Sequence, residues 1–417
     1  MNSLKRRVVV TGLGMVTPIG TEVNQSWQNL CNGKPGITEI TRFDTTGFGA
    51  KIAGEVKDFN AEDFIDKKLA RRMDRYIHFA LASAQMAIED AKLKIADNLK
   101  ERVGVTVGTT GGGIETWEKN QRLLLQGALH EISPFFIPAY ITNMAAAQIA
   151  LRFGAKGPNF APTTACAAGT HALGDAFRLI QRGDVEVMMA GGSEAGVNPL
   201  SIAGLDAMRA LSHRNDAPQK ASRPFDRDRD GFVSSEGAGI VVLEELDFAL
   251  ERGANIYAEV VGYGANCDAY HITSPSPDGK GATRCMRLAL ADADIAPDEV
   301  DYINAHGTST VRNDRSETMA IKAAFGEHAR KLAISSNKSM IGHLWGGSGA
   351  VEAIFTIFTI KQGIIPPTIN YETPDPECDL DYVPNRARKA KVKTAISNSF
   401  GFGGTNGVLV FKEFDGG

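Results

Sequence analysis

Short runs of apolar and β-branched residues recur along the chain, separated by longer stretches whose apolar positions follow a helical period. The short runs read as strands at Arg7–Thr11, Val103–Val107, Val185–Ala190, Gly239–Glu244, Tyr257–Tyr263, Tyr302–Asn304, Leu332–Ser335, Thr394–Ser397 and Gly407–Phe411. Helices are predicted between several of them, as at Arg75–Ala91 and Gly281–Ala293. Such alternation predicts an α/β fold, with helices covering a sheet. Gly12 and Gly14 read as the turn that closes the first strand. No Pro- or Ser-rich linker divides the chain.

The pattern also repeats. A segment from Asn159 to Gly183 and another from Ala333 to Gly363 each hold a short extended stretch, a polar turn, one reactive residue and a helix ending in a basic residue and glycine. The reactive residues are Cys166 and His343. In the first helix Leu173, Phe177 and Ile180 share one face. The repeat predicts two similarly folded halves, residues 1–255 and 256–417, joined near residues 250–256. A two-fold relation between them would bring both helix N-termini to one central site.

Composition narrows the class. The 417 residues are 43% hydrophobic and 23% charged, as in globular proteins, and the net charge of −4 carries no basic field for nucleic acid. The 44 glycines exceed the usual ~7%, so parts of the backbone must turn tightly or pack closely. Five scattered cysteines without a C-x-x-C pair fit a reducing compartment, and no apolar run of ~18 residues predicts a membrane span. The segment Met1 to Ile19 starts basic (Lys5, Arg6, Arg7) and turns apolar, yet no small-residue cleavage site follows. It reads as a strand rather than a signal peptide, and a cytoplasmic protein is expected.

Nucleotide and hydrolase motifs are missing. Thr17 stands where a third glycine would complete G-x-G-x-x-G, and no P-loop or G-x-S-x-G occurs. Cys166 sits among small residues (Thr163-Thr164-Ala165 before, Ala167-Ala168-Gly169 after) at a predicted helix start. Free N–H groups and the helix dipole there are expected to favour thiolate, and the Cys166 N–H could face a developing oxyanion. His306 in Asn304-Ala305-His306-Gly307-Thr308 and His343 in Lys338-Ser339-Met340-Ile341-Gly342-His343 follow predicted strand ends beside glycine. Five other histidines (His78, His130, His213, His271, His328) lack that framing, and His171 shares the Cys166 helix. Spacing alone lends no support to a His–Cys–His metal site. Four glycines around Phe402 form either a β-turn or a loop that gates a pocket.

Cys166 in T-A-C-A-A-G-T, His306 in A-H-G-T-S-T, Lys338 to His343 in K-S-M-I-G-H and Gly401 to Asn406 in G-F-G-G-T-N together resemble the β-ketoacyl-[acyl-carrier-protein] synthases, condensing enzymes of the thiolase superfamily. The likeness runs from about Val8 to Phe411, and its details are most similar to the elongating, synthase II branch. It implies a thiolase-like fold of duplicated α-β-α-β-α halves and a homodimer. It implies acyl transfer to Cys166 and decarboxylative condensation with malonyl-carrier protein in fatty acid elongation. A polyketide-type ketosynthase and a non-catalytic partner subunit are the alternatives.

The resemblance further implies roles for single residues. The Cys166 and Phe402 N–H groups form the oxyanion hole, and His306 and His343 bind the malonyl thioester. Lys338 supports them, paired with Glu352, while Asp314 and Glu317 stand behind His306. Thr308 and Thr310 bind the pantetheine arm, and Phe400 and Phe402 belong to the gating loop. Lys68, Arg71, Arg72 and Arg209 dock the acidic acyl carrier protein. No metal or cofactor is implied beyond the phosphopantetheine that the carrier brings, and no nucleic acid or membrane partner. Val311-Arg312 and Ser234-Ser235 depart from the family pattern. Gly111 replaces a bulky aliphatic of the acyl pocket, which predicts a less obstructed pocket that tolerates long chains.

Overall fold

Every residue of the first strand, β1 (Val8–Val16), is buried, so it is covered on both faces. The computed structural model describes residues 6–416; Met1 to Lys5, part of the basic start discussed above, and Gly417 lie outside them. Gly12 and Gly14 do not turn the chain. They lie within β1, where a Cβ on Gly12 would stand 2.1 Å from the Ala87 carbonyl oxygen and one on Gly14 1.9 Å from that of Ser83. Both carbonyls belong to helix α1 (Arg75–Ala91), which Asp74 caps by accepting the Tyr76 N–H. Glycine is therefore needed for helix-on-sheet contact. Gly14→Ala is expected to cost about 1–3 kcal/mol through overpacking. An unchanged thermal midpoint would show that α1 can retreat.

Two more helices and four more strands are the other main elements of the first half: β2 (Val103–Gly108), α2 (Met144–Phe153), β3 (Asn159–Phe160), α3 (Ala168–Arg182), β4 (Val187–Ala195) and β5 (Glu236–Glu245), with shorter helices between. The second half holds β6 (Ala258–Cys267), α4 (Lys280–Ala293), β7 (Tyr302–Asn304), α5 (Val311–Phe325), β8 (Ala333–Ser335), α6 (Ser348–Gln362), β9 (Thr394–Gly401) and β10 (Thr405–Lys412). From the middle outward the strand order is β1-β5-β4-β2-β3 in one direction and β6-β10-β9-β7-β8 in the other. These are the same order, and the same pairings are parallel and antiparallel in both. The two runs meet where Val8, Val9 and Val10 pair with Val260, Glu259 and Ala258.

Helices α1 and α2 cover the first run, α4 and α5 the second, and α3 and α6 pack between both. The result is one set of α-β-α-β-α layers, to which each half gives a run of strands, its outer helices and one central helix. Helix α6 is buried from Ser348 to Ile360, as a helix in a central layer must be. Its partner α3 buries Leu173, Ala176, Phe177 and Ile180.

The repeat has a different register from the one suggested by the reactive residues. Ala165 and Trp345 each have φ 49°, and each opens a one-turn 3₁₀ segment (Ala165–Ala167 and Trp345–Gly347) that leads into α3 or α6. The counterpart of Cys166 is therefore Gly346, and His343 lies in the approach to the turn. The N-terminal ends of α3 and α6 meet closely: a Cβ on Gly349 would stand 2.1 Å from the Thr170 hydroxyl oxygen. The C-terminal glycine cluster is a β9–β10 hairpin, with Gly401 opposite Thr405 and the turn at Phe402–Gly404.

Candidate active site

Four separate segments meet at the layer interface. Cys166 comes from the turn before α3, His306 from the loop after β7, His343 from the approach to α6, and Phe400 and Phe402 from the end of β9 and its turn. All five line one cavity of about 520 Å³. The ligand atoms of Cys166, His306 and His343 lie within 4.8 Å of one another. His343 Nε2 is 3.1 Å from Cys166 Sγ, and the two imidazoles stand edge to face at 5.4 Å.

Hydrogen bonds set the tautomer of each histidine. The Trp345 N–H donates to His343 Nδ1 at 3.2 Å. The Ser348 hydroxyl already accepts the Leu344 N–H, so it turns its own proton to His343 Nδ1 at 3.0 Å. Lys338 Nζ, which can only donate, lies 3.4 Å from His306 Nδ1. In both rings Nδ1 accepts, so the proton of the neutral imidazole sits on Nε2. Burial and the Lys338 charge hold both histidines well below the ordinary pKa, with His343 adding to the shift of His306. The site therefore holds two neutral N–H donors. A metal takes the deprotonated ring nitrogen, so the three side chains that could ligate one are not set up to do so.

Lys338 is paired with Glu352 on α6, both fully enclosed. Burial pushes the Glu352 carboxyl up to about 7 against the pull of Lys338. Glu317 on α5 accepts the N–H groups of His306 and Gly307, both at 2.8 Å, and Asn398 of β9 donates to it at 3.1 Å. Glu317 thus positions the backbone of His306. Asp314 lies one turn before Glu317 on the same helix. It accepts the Phe225 N–H at 2.8 Å and faces Arg229, so it anchors the neighbouring loop.

The thiol runs against expectation. Cys166 lies in the 3₁₀ turn, and burial pushes its pKa up to about 11. The Lys338 charge and the N–H groups of Phe402 and of Cys166 itself pull the other way and do not prevail. The same two N–H groups flank the sulfur, where an oxyanion would develop. Two outcomes follow for alkylation of Cys166 by iodoacetamide. The rate should keep climbing from pH 7 to pH 10 without levelling. In Lys338→Met it should fall at fixed pH, roughly tenfold for each unit the thiol moves. A plateau below pH 9, or an unshifted profile in the variant, would contradict these electrostatics.

At the mouth of the cavity Thr308 and Thr310 share a hydrogen bond of 2.9 Å, and Thr310 caps α5. Val311 and Arg312 start that helix, and Arg312 donates to the Ser274 hydroxyl at 2.7 Å. Arg209, exposed with φ 54°, also lines the mouth. Lys68 and Arg71 are exposed around a short helix capped by Asp66, whereas the Arg72 guanidinium lies over the Phe135 ring at 4.5 Å.

Two models describing the β-ketoacyl synthase N-terminal and C-terminal domains match residues 5–249 and 257–372. The chain belongs to the β-ketoacyl synthase family. Among curated relatives, 3-oxoacyl-[acyl-carrier-protein] synthase 2 of Synechocystis is 56% identical over 99% of both chains. The protein of that name in Staphylococcus aureus is 52% identical over 99% of this chain and all of its own. Among solved structures, a ketosynthase in complex with its type II polyketide acyl-carrier protein superposes with a TM-score of 0.92 at 39% identity, over 98% of this chain and 100% of that one. A β-ketoacyl synthase from Burkholderia phymatum also reaches 0.92, at 34% identity and the same coverage.

In this β-ketoacyl synthase several contributors escaped the sequence reading. Ser348 sets the His343 tautomer and Asn398 braces Glu317, but each looks like an ordinary polar residue on its element. Glu194 on β4 is buried and accepts the N–H groups of Thr110, Gly111 and Gly346, joining the loop after β2 to the turn before α6. His171 bridges the Thr164 hydroxyl and the Asn406 carbonyl, tying the Cys166 loop to β10. A buried carboxylate in the run Gly191-Gly192-Ser193-Glu194 was the one signal available.

The Ser234-Ser235 departure is absorbed here too. The Ser235 hydroxyl bonds the Ile341 carbonyl at 2.6 Å and its N–H bonds the His343 carbonyl at 2.9 Å. The space expected at Gly111 is not open. A Cβ there would stand 2.2 Å from Ile114 Cδ1, because the Ile114 side chain has taken the place, and Gly111 lines a second cavity rather than the one at Cys166.

Proposed function

We propose that this chain catalyses the decarboxylative condensation of an acyl thioester with malonyl-[acyl-carrier-protein], giving a 3-oxoacyl-[acyl-carrier-protein] two carbons longer and CO2 in fatty acid elongation. One observation carries the reading. A nucleophile with backbone N–H groups at its sulfur faces two neutral imidazoles, each presenting Nε2–H to the same space. The relatives named 3-oxoacyl-[acyl-carrier-protein] synthase 2 support fatty acid elongation, being more similar to this chain than the polyketide ketosynthase is.

Cys166 Sγ attacks the thioester carbonyl, and the Cys166 and Phe402 N–H groups receive the oxyanion. The carrier's pantetheine thiolate departs and takes up the proton that the Cys166 thiol loses. The attack comes from the thiolate fraction, which the Lys338 charge and the two N–H groups favour against burial. Malonyl-carrier protein then binds, and its thioester oxygen accepts from His306 and His343. The bond to the carboxylate breaks, CO2 leaves, and the electron pair forms an enolate held by the two donors. Its α-carbon attacks the acyl-Cys166 carbonyl, and Cys166 departs as thiolate and regains a proton. Loss of CO2 drives the sequence, so no metal or redox cofactor enters it.

The acyl carrier protein is the partner, reaching the mouth by way of Lys68, Arg71, Arg72 and Arg209. A homodimer is supported by the edge position of β3 and by the exposed apolar side chains of Leu124, Leu125, Leu129, Ile137 and Leu151. Among the described residues no helix is long and apolar enough to cross a membrane, and a cytoplasmic setting is proposed. Incubation with acyl- and malonyl-carrier proteins tests the reading. A 3-oxoacyl product with matching CO2 release is expected. Purified protein that yields neither would point to a non-catalytic partner subunit.

A further inference from the structure

Two cavities meet at Trp345 and Leu205. The first, at Cys166, holds the reacting groups; the second, of about 340 Å³, is lined by Gly111, Ile114, Trp117, Tyr140 and Leu200. Trp345 lines both, with Leu205 beside it. The indole is therefore a wall between the space where a thioester reacts and a largely apolar space beyond it.

That wall is held in place. Trp345 has φ 49°, a conformation that bulky residues rarely adopt and that persists only when the surroundings enforce it. Its Nε1–H donates to the Ser234 hydroxyl at 3.1 Å, and that hydroxyl donates to the Gly196 carbonyl at 3.2 Å. Ser234 is fully buried. The ring lies close to Gly196, where a Cβ would come within 3.1 Å of Trp345 Cε2 and 3.3 Å of Cδ2. An apolar residue at position 234 could not accept the indole proton, and a buried indole N–H without a partner is costly. The departure at Ser234 and the tryptophan at 345 thus form one unit. Ile114, which fills the room above Gly111, lines the far side of the same wall.

We propose that Trp345, pinned by Ser234, is the residue that sets the acyl-chain length this protein accepts. The inference rests on the reading of Cys166 as the acyl acceptor. Chains that end before the indole fit the first cavity. Longer chains must enter the second cavity, and the indole stands in the way. Removing it joins the two spaces.

The test is the rate of acylation of Cys166, followed by intact mass, across acyl-carrier proteins of increasing chain length. The readout is the ratio of the long-chain to the short-chain rate, which a uniform loss of activity leaves unchanged. In Trp345→Leu this ratio should rise roughly tenfold or more, the scale on which a pocket discriminates by size. In Ser234→Ala, where the indole loses its acceptor, it should rise in the same direction by less. An unchanged ratio in Trp345→Leu overturns the proposal. Should that variant fail to fold, an unchanged ratio in Ser234→Ala overturns it instead. If wild-type Cys166 takes up no acyl group of any length, the reading of Cys166 itself fails.

Discussion

Replacing His343 with alanine should slow malonyl decarboxylation roughly 10²–10³-fold, the effect of losing one preorganised donor to an oxyanion. Acyl transfer to Cys166 should suffer far less. The asymmetry follows from the hydrogen bonds. Trp345 and Ser348 direct a proton at Nδ1, so Nε2 carries the ring proton and cannot accept one from the thiol. His343 therefore serves the enolate more than the nucleophile, whose own oxyanion has the Cys166 and Phe402 N–H groups. Separate assays of CO2 release from malonyl-carrier protein and of acyl-enzyme formation read the two steps apart. A larger loss in acyl transfer than in decarboxylation would assign His343 the role of base to Cys166 and refute this account.

Cys166→Ala should remove condensation altogether, a loss of roughly 10⁴-fold or more, as for deletion of a covalent nucleophile. It should not remove decarboxylation. His306 is positioned by Glu317 and Lys338, and His343 by Ser348 and Trp345, and none of these bonds passes through the sulfur. The variant is thus expected to release CO2 from malonyl-carrier protein and to leave an acetyl-carrier protein, with the enolate protonated for lack of an acyl acceptor. Product analysis by mass checks both halves. Loss of CO2 release together with condensation would mean that the thiol takes part in decarboxylation.

Much of this was legible in the chain because local chemistry carries it. The β-branched runs at Tyr302–Asn304 and Ala333–Ser335 formed strands within a residue of expectation, and Arg75–Ala91 formed the helix its period predicted. The duplication was visible in the Asn159 and Ala333 segments. What failed depended on contacts distant in sequence. Gly12 and Gly14 look like a turn until α1 is laid against them. At Cys166 burial by four converging segments outweighs the backbone dipole that a helix start offers a thiolate. The true counterpart of Cys166 is the inert Gly346, so a match between reactive residues misplaced the repeat by three positions. Gly111 looked like vacant space, but the Ile114 side chain three residues later fills it.

The central claim is that Cys166 carries the acyl group between two carrier-bound substrates. The most direct measurement is intact-mass analysis after incubation with acyl-carrier protein alone, peptide mapping of the adduct, and a chase with malonyl-carrier protein. The account predicts one acyl adduct, on the peptide holding Cys166, that disappears in the chase as 3-oxoacyl-carrier protein appears in equal amount. An adduct on another residue, or product formed while the Cys166 adduct persists unchanged, would contradict it.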